Sequence, residues 1–496
     1  MTLSRSCRAL ALLLFLAAAA PVAAQTTFHI DPAGSDAADG SEAEPWATLQ
    51  HAADEVGPGD TVVVHAGSYR GMDLRTSGTA DAPITFSAEA GTTIDQDNDR
   101  TPDGINLEGA SFVVIEGFES SGRTRAGFRA VNGDQVVFRN NVAADNGKWG
   151  ILTGFCNDLL IENNTCSGSI DEHGIYVSNS GDRPIVRGNR LFSNNGNGLH
   201  MNGDADVGGG DGIISGALVE NNVIWDNGER GGSGINCDGV QDSVIRNNLL
   251  YENHASGISL YRVNGGGPSS GNLVVNNTVL QAADGRWALN IQHGAVNNRV
   301  LNNILLSRHT FRGAIDISAD SLDGLEADYN VVIARFTTDG GSTRLDLSEW
   351  QALGHGEHSL EAAIDEVFVD PPGSDYHLSA GSPALDAGRM ADAPPADFEG
   401  DARPQGAGID VGADERCDGD CDAPDGGVPD LDGGVGADAS VSRDSGVSGR
   451  DGSTGPGDDD SSSSDDGCGC RASGRHGGSG LLLVLAIGLV ARRRRR

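Results

Sequence analysis

Between Asp171 and His293 the sequence places acid, base and cation types at short intervals: Asp171-Glu172-His173, Tyr176, His200, Asn202, Asn236, Asp238, Tyr261, Arg262, Asn290 and His293. Histidine and tyrosine exchange protons, arginine pairs with carboxylates, and asparagine both donates to and accepts from hydroxyls. Such a set suits removal of a proton beside a carboxylate, followed by loss of a leaving oxygen or return of a proton to the opposite face. In that scheme His200 and Tyr261 transfer protons and Arg262 meets the carboxylate. His173, Tyr176, Asn202, Asn236, Asp238, Asn290 and His293 then bind substrate. Inverting hydrolysis needs two carboxylates about 6.5–9.5 Å apart, and only Asp238 with a loop residue such as Asp204 offers such a pair. The loop Asp204-Ala205-Asp206-Val207-Gly208-Gly209-Gly210-Asp211-Gly212 supplies three hard oxygen ligands, Asp204, Asp206 and Asp211, of the type calcium takes. It lacks a full calcium motif, so a solvated loop is the simpler reading.

What must position these residues is a repeat. A Gly–apolar–polar–apolar strand recurs at Gly104, Gly127, Gly150, Gly174, Gly198, Gly234 and Gly257, and continues with Ala in place of Gly at Ala288 and Ala314. The steps are 23 to 26 residues apart from two longer ones, 36 from Gly198 to Gly234 and 31 from Gly257 to Ala288. Between the strands an Asn-Asn–apolar turn recurs, as at Asn140-Asn141, Asn163-Asn164, Asn221-Asn222, Asn247-Asn248, Asn276-Asn277 and Asn302-Asn303. Period-two alternation means strands, and a unit this short buries its apolar face only by stacking on its neighbours. The expected fold is all-β, a parallel β-helix with each strand about 4.8 Å above its equivalent. The second and fourth strand positions face the core, so Ile235, Ile258 and Leu289 stack there. The residues between them form outward ladders, among them Tyr176, His200, Asn236, Ser259, Asn290 and Asp316. The second Asn of each turn is expected to form a side-chain ladder that satisfies turn backbone. The two long steps insert loops at Asp204–Gly216 and Val263–Gly271 beside the polar patch, where repeat proteins build binding surfaces.

These coils resemble the pectate-lyase-like right-handed parallel β-helix superfamily. The segments 28–71 and 376–415 resemble the entry and closing segments of secreted proteins of that fold. The resemblance implies right-handed winding and a polysaccharide ligand, with lyases, epimerases and hydrolases all represented. Within 28–71, Trp46–Val56 is the one short helical candidate, placed to cap the first coil. Asp386, Asp397 and Asp410 read as turn residues rather than catalysts.

Domain organisation follows from composition shifts along the 496 residues. Residues 1–24, with Arg5 and Arg8, the apolar run Ala9–Ala20 and a small-residue cleavage pattern, read as a signal peptide. Residues 25–103 form the cap and first coils, 104–335 the repeats, and 336–415 the closing segment. Residues 416–466 are an Asp/Gly/Ser-rich disordered stalk. Residues 467–496 carry Cys468 and Cys470, an apolar run Leu481–Ala491 too short to span a bilayer, and Arg492–Arg496. That tail resembles the MYXO-CTERM sorting signal, which implies processing at Cys468 or Cys470 and display on the bacterial cell surface. A simple tail anchor is the alternative. Export permits oxidation, so Cys417 and Cys421 are candidates to pair, Cys237 packs inward, and Cys156 and Cys166 stay open.

The formal charge of −37 disfavours nucleic acid and argues against an unaided grip on polyanions. The expected partners are a polysaccharide and the export and sorting machinery, with membrane contact only through the tail. Calcium is the one cofactor the sequence suggests. Two classes fit: an enzyme acting by β-elimination or C5-epimerisation, favoured over hydrolysis, or a non-catalytic surface adhesin that binds glycan.

Overall fold

The computed structural model describes residues 25–417. The leader at 1–24, the stalk beyond Cys417 and the tail with Cys468 and Cys470 lie outside the described residues. Within them the chain winds as a parallel β-solenoid of three long sheets with 12, 11 and 12 strands. One turn supplies Ser233–Asp238 to the 11-stranded sheet, Val244–Arg246 to one 12-stranded sheet and Leu249–Tyr251 to the other.

The register follows the repeat. Ile151, Ile175, Leu199, Ile235, Ile258, Leu289 and Ile315 align strand by strand in the 11-stranded sheet, and all are buried in one core. Strands begin before the repeat proper, with Thr27–Ile30 and Thr61–Val64 paired in parallel. They run past residue 335, since Phe336–Thr337 and Leu360–Glu361 close the last coil. The helix spans Leu49–Glu55, capped by Thr48, whose side chain accepts from the His51 N–H. It seals the first edge of the 11-stranded sheet: Gln50 donates to the Asp73 carbonyl and accepts the Asp73 N–H, satisfying backbone that has no neighbouring strand on that side.

The asparagine ladder is present and longer than expected, running Asn141, Asn164, Asn189, Asn222, Asn248, Asn277, Asn303 and Asn330. Each Oδ1 from Asn164 onward accepts both the backbone N–H and the Nδ2 of the asparagine one coil earlier, at 2.8–3.1 Å. The first Asn of each pair takes φ of 52–57°, a left-handed turn that asparagine tolerates better than most residues. A second ladder, Asn194, Asn227 and Asn253, stacks at another corner. The sequence shows it less plainly, because Ser169 interrupts it.

A second core lies outside the solenoid. Val223, Leu249, Ile304 and Val331 point outward from a 12-stranded sheet and are covered by Val367, Phe368, Tyr376, Leu378, Phe398 and Val411. The closing segment is also tied by the left-handed asparagines: Asn247 Nδ2 donates to the Ala396 carbonyl at 2.7 Å, Asn276 to Gly412 at 3.1 Å and Asn302 to Arg389 at 2.8 Å. Asp397 Oδ1 accepts three successive N–H groups from residues 399–401, and Asp410 accepts from Asp386 and Arg416, so these aspartates are turn residues. Cys156, Cys166 and Cys237 are buried free thiols, and Cys417 is disulfide-bonded.

Ile235→Ala, Ile258→Ala and Leu289→Ala should each cost about 2–5 kcal/mol in urea unfolding. Asn248→Ala should cost about 3 kcal/mol, because it strands the Asn222 N–H in the interior and removes the Nδ2 bond to the Val219 carbonyl. A wild-type midpoint for all four variants would contradict the register.

Candidate functional site

Register brings the candidates together on the outer face of the 11-stranded sheet. Tyr176, His200, Asn236, Ser259 and Asn290 align across successive strands. Ser178, Asn202, Asp238 and Tyr261 form the next column. These outward residues are nonetheless covered: His173 is 2% exposed, Asn236 3%, and His200, Asn202 and Tyr261 5% each.

The two insertions join into one wall beside them. The Ala205 N–H donates to the Asn264 carbonyl at 2.9 Å and the Gly266 N–H to Gly212 at 2.7 Å. Asp238 anchors this wall. Its Oδ1 accepts from the Val263 and Gly265 N–H groups and its Oδ2 from Asn264, at 2.7–2.9 Å. Gly239 has φ +74°, and a Cβ there would meet Gly265 Cα at 2.8 Å, so the wall's close approach requires glycine. The Asp238 carboxylate thus holds a loop.

Around the wall the remaining candidates divide. Tyr261 OH accepts from Asn236 Nδ2 at 3.0 Å, and Tyr176 OH from Asn202 Nδ2 at 3.1 Å. Tyr176 stacks on His200 with ring centroids 4.9 Å apart, and on Trp149 at 5.9 Å. Arg262 is exposed, its Nε donating to the Gly265 carbonyl at 3.3 Å. His293 is exposed and edge-on to Tyr261 at 6.4 Å. Asn290, half-buried, accepts from Gln292. On the loop, Asp206 and Asp211 are exposed and Asp204 half-buried. Burial, with the charges of Asp206 and Asp238, raises the Asp204 carboxyl. The three do not converge. Among the described residues, the group whose ligand atoms lie within 4.8 Å of one another is His377, Glu399 and Asp414, in the closing segment.

At the centre sits a histidine pair. His173 Nδ1 accepts the Asn197 backbone N–H at 3.1 Å, and His173 Nε2 lies 3.0 Å from His200 Nδ1. His200 Nε2 is buried with no hydrogen-bond partner, as is Oδ1 of Asn236 on the next strand. Burial lowers both histidines well below their ordinary range, His200 to about 3. Unmet buried polar atoms are costly, and here two stand on paired strands. Asn197 and Trp149 were not among the sequence candidates. Both stand immediately before a strand glycine, as His173 does before Gly174, and that shared position was the available signal.

The fold is that of a pectate-lyase-type parallel β-helix. A family model described as "Pel9A-like, right handed beta helix region" matches residues 28–182. The crystal structure of pectate lyase Pel9A is similar over 80% of this chain and 98% of that one, with a TM-score of 0.54 and 17% identity. The alginate lyase from Paenibacillus sp. str. FPU-7 is similar over 58% of this chain and 97% of that one, with a TM-score of 0.43 and 18% identity. Among curated proteins, the uncharacterized protein YwoF of Bacillus subtilis (strain 168) is 39% identical over 59 residues, which is 12% of this chain and 13% of that protein.

The histidine pair has a pH consequence. Below about pH 6.5 the unfolded chain binds protons at His173 and His200 that the folded chain refuses, so stability falls as pH falls, by about 1.4 kcal/mol per unit for each histidine. For His200 the loss continues down to about pH 3. Asp410 and Asp414, raised by burial to about 6 and about 7, act in the opposite sense. The test is therefore the wild-type stability minus that of His173→Gln/His200→Gln, which should shrink between pH 7 and about 5. A pH-independent difference would contradict the buried neutral pair.

Proposed function

We propose that this is an exported, surface-displayed β-helix protein that binds polysaccharide on the outer face of the 11-stranded sheet around His200 and modifies it by β-elimination or C5-epimerisation. The observation that carries the reading is the unpartnered His200 Nε2 beside the unpartnered Asn236 Oδ1, flanked by the Tyr176 and Tyr261 rings. Sugars present that mixture of oxygen acceptors, hydroxyl donors and C–H faces. A solved structure of similar fold is named a pectate lyase, which supports a polyuronate as the class to try first. Hydrolysis is disfavoured because Asp238 is engaged by three backbone N–H groups, and Asp316, in the other column, lies three coils away, about 14 Å at the strand spacing. Tyr261 then serves as proton-transfer group and exposed Arg262 as the carboxylate partner.

The leader at 1–24 and the tail at 467–496 support export and display, with Cys468 or Cys470 as the processing point. Mass spectrometry of protein from its native host should find an end near those cysteines; recovery of chains still carrying Leu481–Arg496 would rule processing out.

The catalytic reading is tested by incubating the mature chain with polyuronates and neutral glycans, with and without calcium, and following the ultraviolet absorbance of unsaturated uronate and, by NMR, C5 inversion. Tyr261→Phe should remove product while leaving binding largely intact, and Arg262→Ala should weaken binding about tenfold, or about 1.4 kcal/mol. Binding without product for any glycan, with both substitutions changing affinity alone, is the outcome for an adhesin.

A further inference from the structure

We propose that His200 acts as a neutral N–H donor, neither base nor acid, and that His173 is the positioning residue that keeps it in that form. The relevance to catalysis rests on the polysaccharide reading; the tautomer itself does not.

The assignment begins at a group whose proton is fixed. A backbone N–H only donates, so the Asn197 N–H at 3.1 Å requires a lone pair on His173 Nδ1. The Asn197 side-chain Nδ2, 3.2 Å from the same nitrogen, presents a second donor. Neutral His173 therefore carries its proton on Nε2, which faces His200 Nδ1 at 3.0 Å across rings 81° apart. His200 Nδ1 must accept, and the His200 proton sits on Nε2, the buried atom that meets nothing.

Adding a proton anywhere in this chain sets two N–H groups against each other. The groups around it do not relieve that. The Glu172 carboxylate is 3.8 Å from His173 Nε2 but is held by Lys148 at 3.2 Å and Trp149 at 3.0 Å. The ring of Tyr176 packs against both histidines, at 5.3 and 4.9 Å. Nor can the chain supply a proton, because it starts at an amide. Loss of the Nε2 proton would leave an imidazolate.

A fixed, neutral donor in a buried site suits hydrogen bonding to an oxygen whose negative charge grows. In proton abstraction beside a uronate carboxyl, the base takes the proton and the C–H electron pair moves toward the carboxyl oxygens. The His200 N–H stays where it is and its hydrogen bond strengthens. Asn236 Oδ1, on the adjoining strand, accepts from a neighbouring sugar hydroxyl. The substrate group the pair recognises is thus a carboxylate oxygen with a free hydroxyl close by.

The tautomer is read by long-range proton–nitrogen NMR on the full mature protein labelled with 15N-histidine, with His200 identified by its absence in His200→Gln. Expected is a protonated Nε2 and bare Nδ1 that do not change between about pH 5 and 8. A proton on Nδ1, or titration of His200 near its ordinary value, overturns the proposal. His173→Gln, whose amide still donates to Nδ1, should keep the pattern, and His173→Leu should release it, with His200 then titrating. An unchanged His200 in His173→Leu removes His173 from the role. If the polyuronate assay yields product, His200→Ala should lower kcat about 100- to 1,000-fold, whereas His200→Gln, which retains a neutral N–H, should recover most of that loss. Equal loss in both variants would show that His200 moves a proton. Failure of the glycan assay leaves the NMR result standing, so the two readings fail separately.

Discussion

The buried asparagine ladder is the interaction on which the rest depends. Each rung accepts a backbone N–H and a side-chain N–H from one coil and returns its own amide to the next, so one corner of each coil from Asn141 to Asn330 is pinned at a fixed height. A parallel solenoid has no hairpins to set its pairing, and a slip of one residue would turn every inward side chain outward. The ladder removes that freedom because its repeat is one coil and its donors and acceptors match only in register. The inward alignment of Ile235, Ile258 and Leu289 and the outward alignment of Tyr176, His200 and Asn236 are two results of the same constraint.

The site is the place where local rules are relaxed within that frame. Asn236 leaves its Oδ1 unmet and His200 its Nε2 on paired strands, in addition to the unmet amide oxygens of Asn221, Asn247 and Gln281. The inserted loops flank this face, and Asp238 is spent on holding them. A carboxylate that looks chemical in sequence is thereby structural, while a backbone amide, at Asn197, decides the protonation of two side chains.

Most of the fold was legible because every repeat votes on the same pattern. Gly–apolar–polar–apolar and Asn-Asn fix strand, turn and facing residue by period alone, and even the additional rungs Asn189 and Asn330 fall on the expected line. The co-location of His173, His200, Asn236 and Tyr261 was likewise a matter of counting. The burial of that face was not. The loops beside that face bond to each other, and irregular sequence carries no period to read. The role of Asn197 was hidden because it acts through its main chain, which any residue but proline would supply. The external apolar stripe, Val223, Leu249, Ile304 and Val331, was visible as a change of residue type after the asparagine pair, but only contact with Phe368, Tyr376 and Phe398 gives the change its meaning.

That stripe alters how the solenoid comes apart. A stack in which each coil touches only its neighbours frays from its ends, with every coil lost at little more than its own interface energy. Here the closing segment lies alongside several coils at once and is stitched to Asn247, Asn276 and Asn302. Those coils must open together or remain shut. The fraying boundary is thereby shifted to the opposite end, where a seven-residue helix is the main restraint, and the coils bearing Asn236 and Tyr261 belong to the half that opens last.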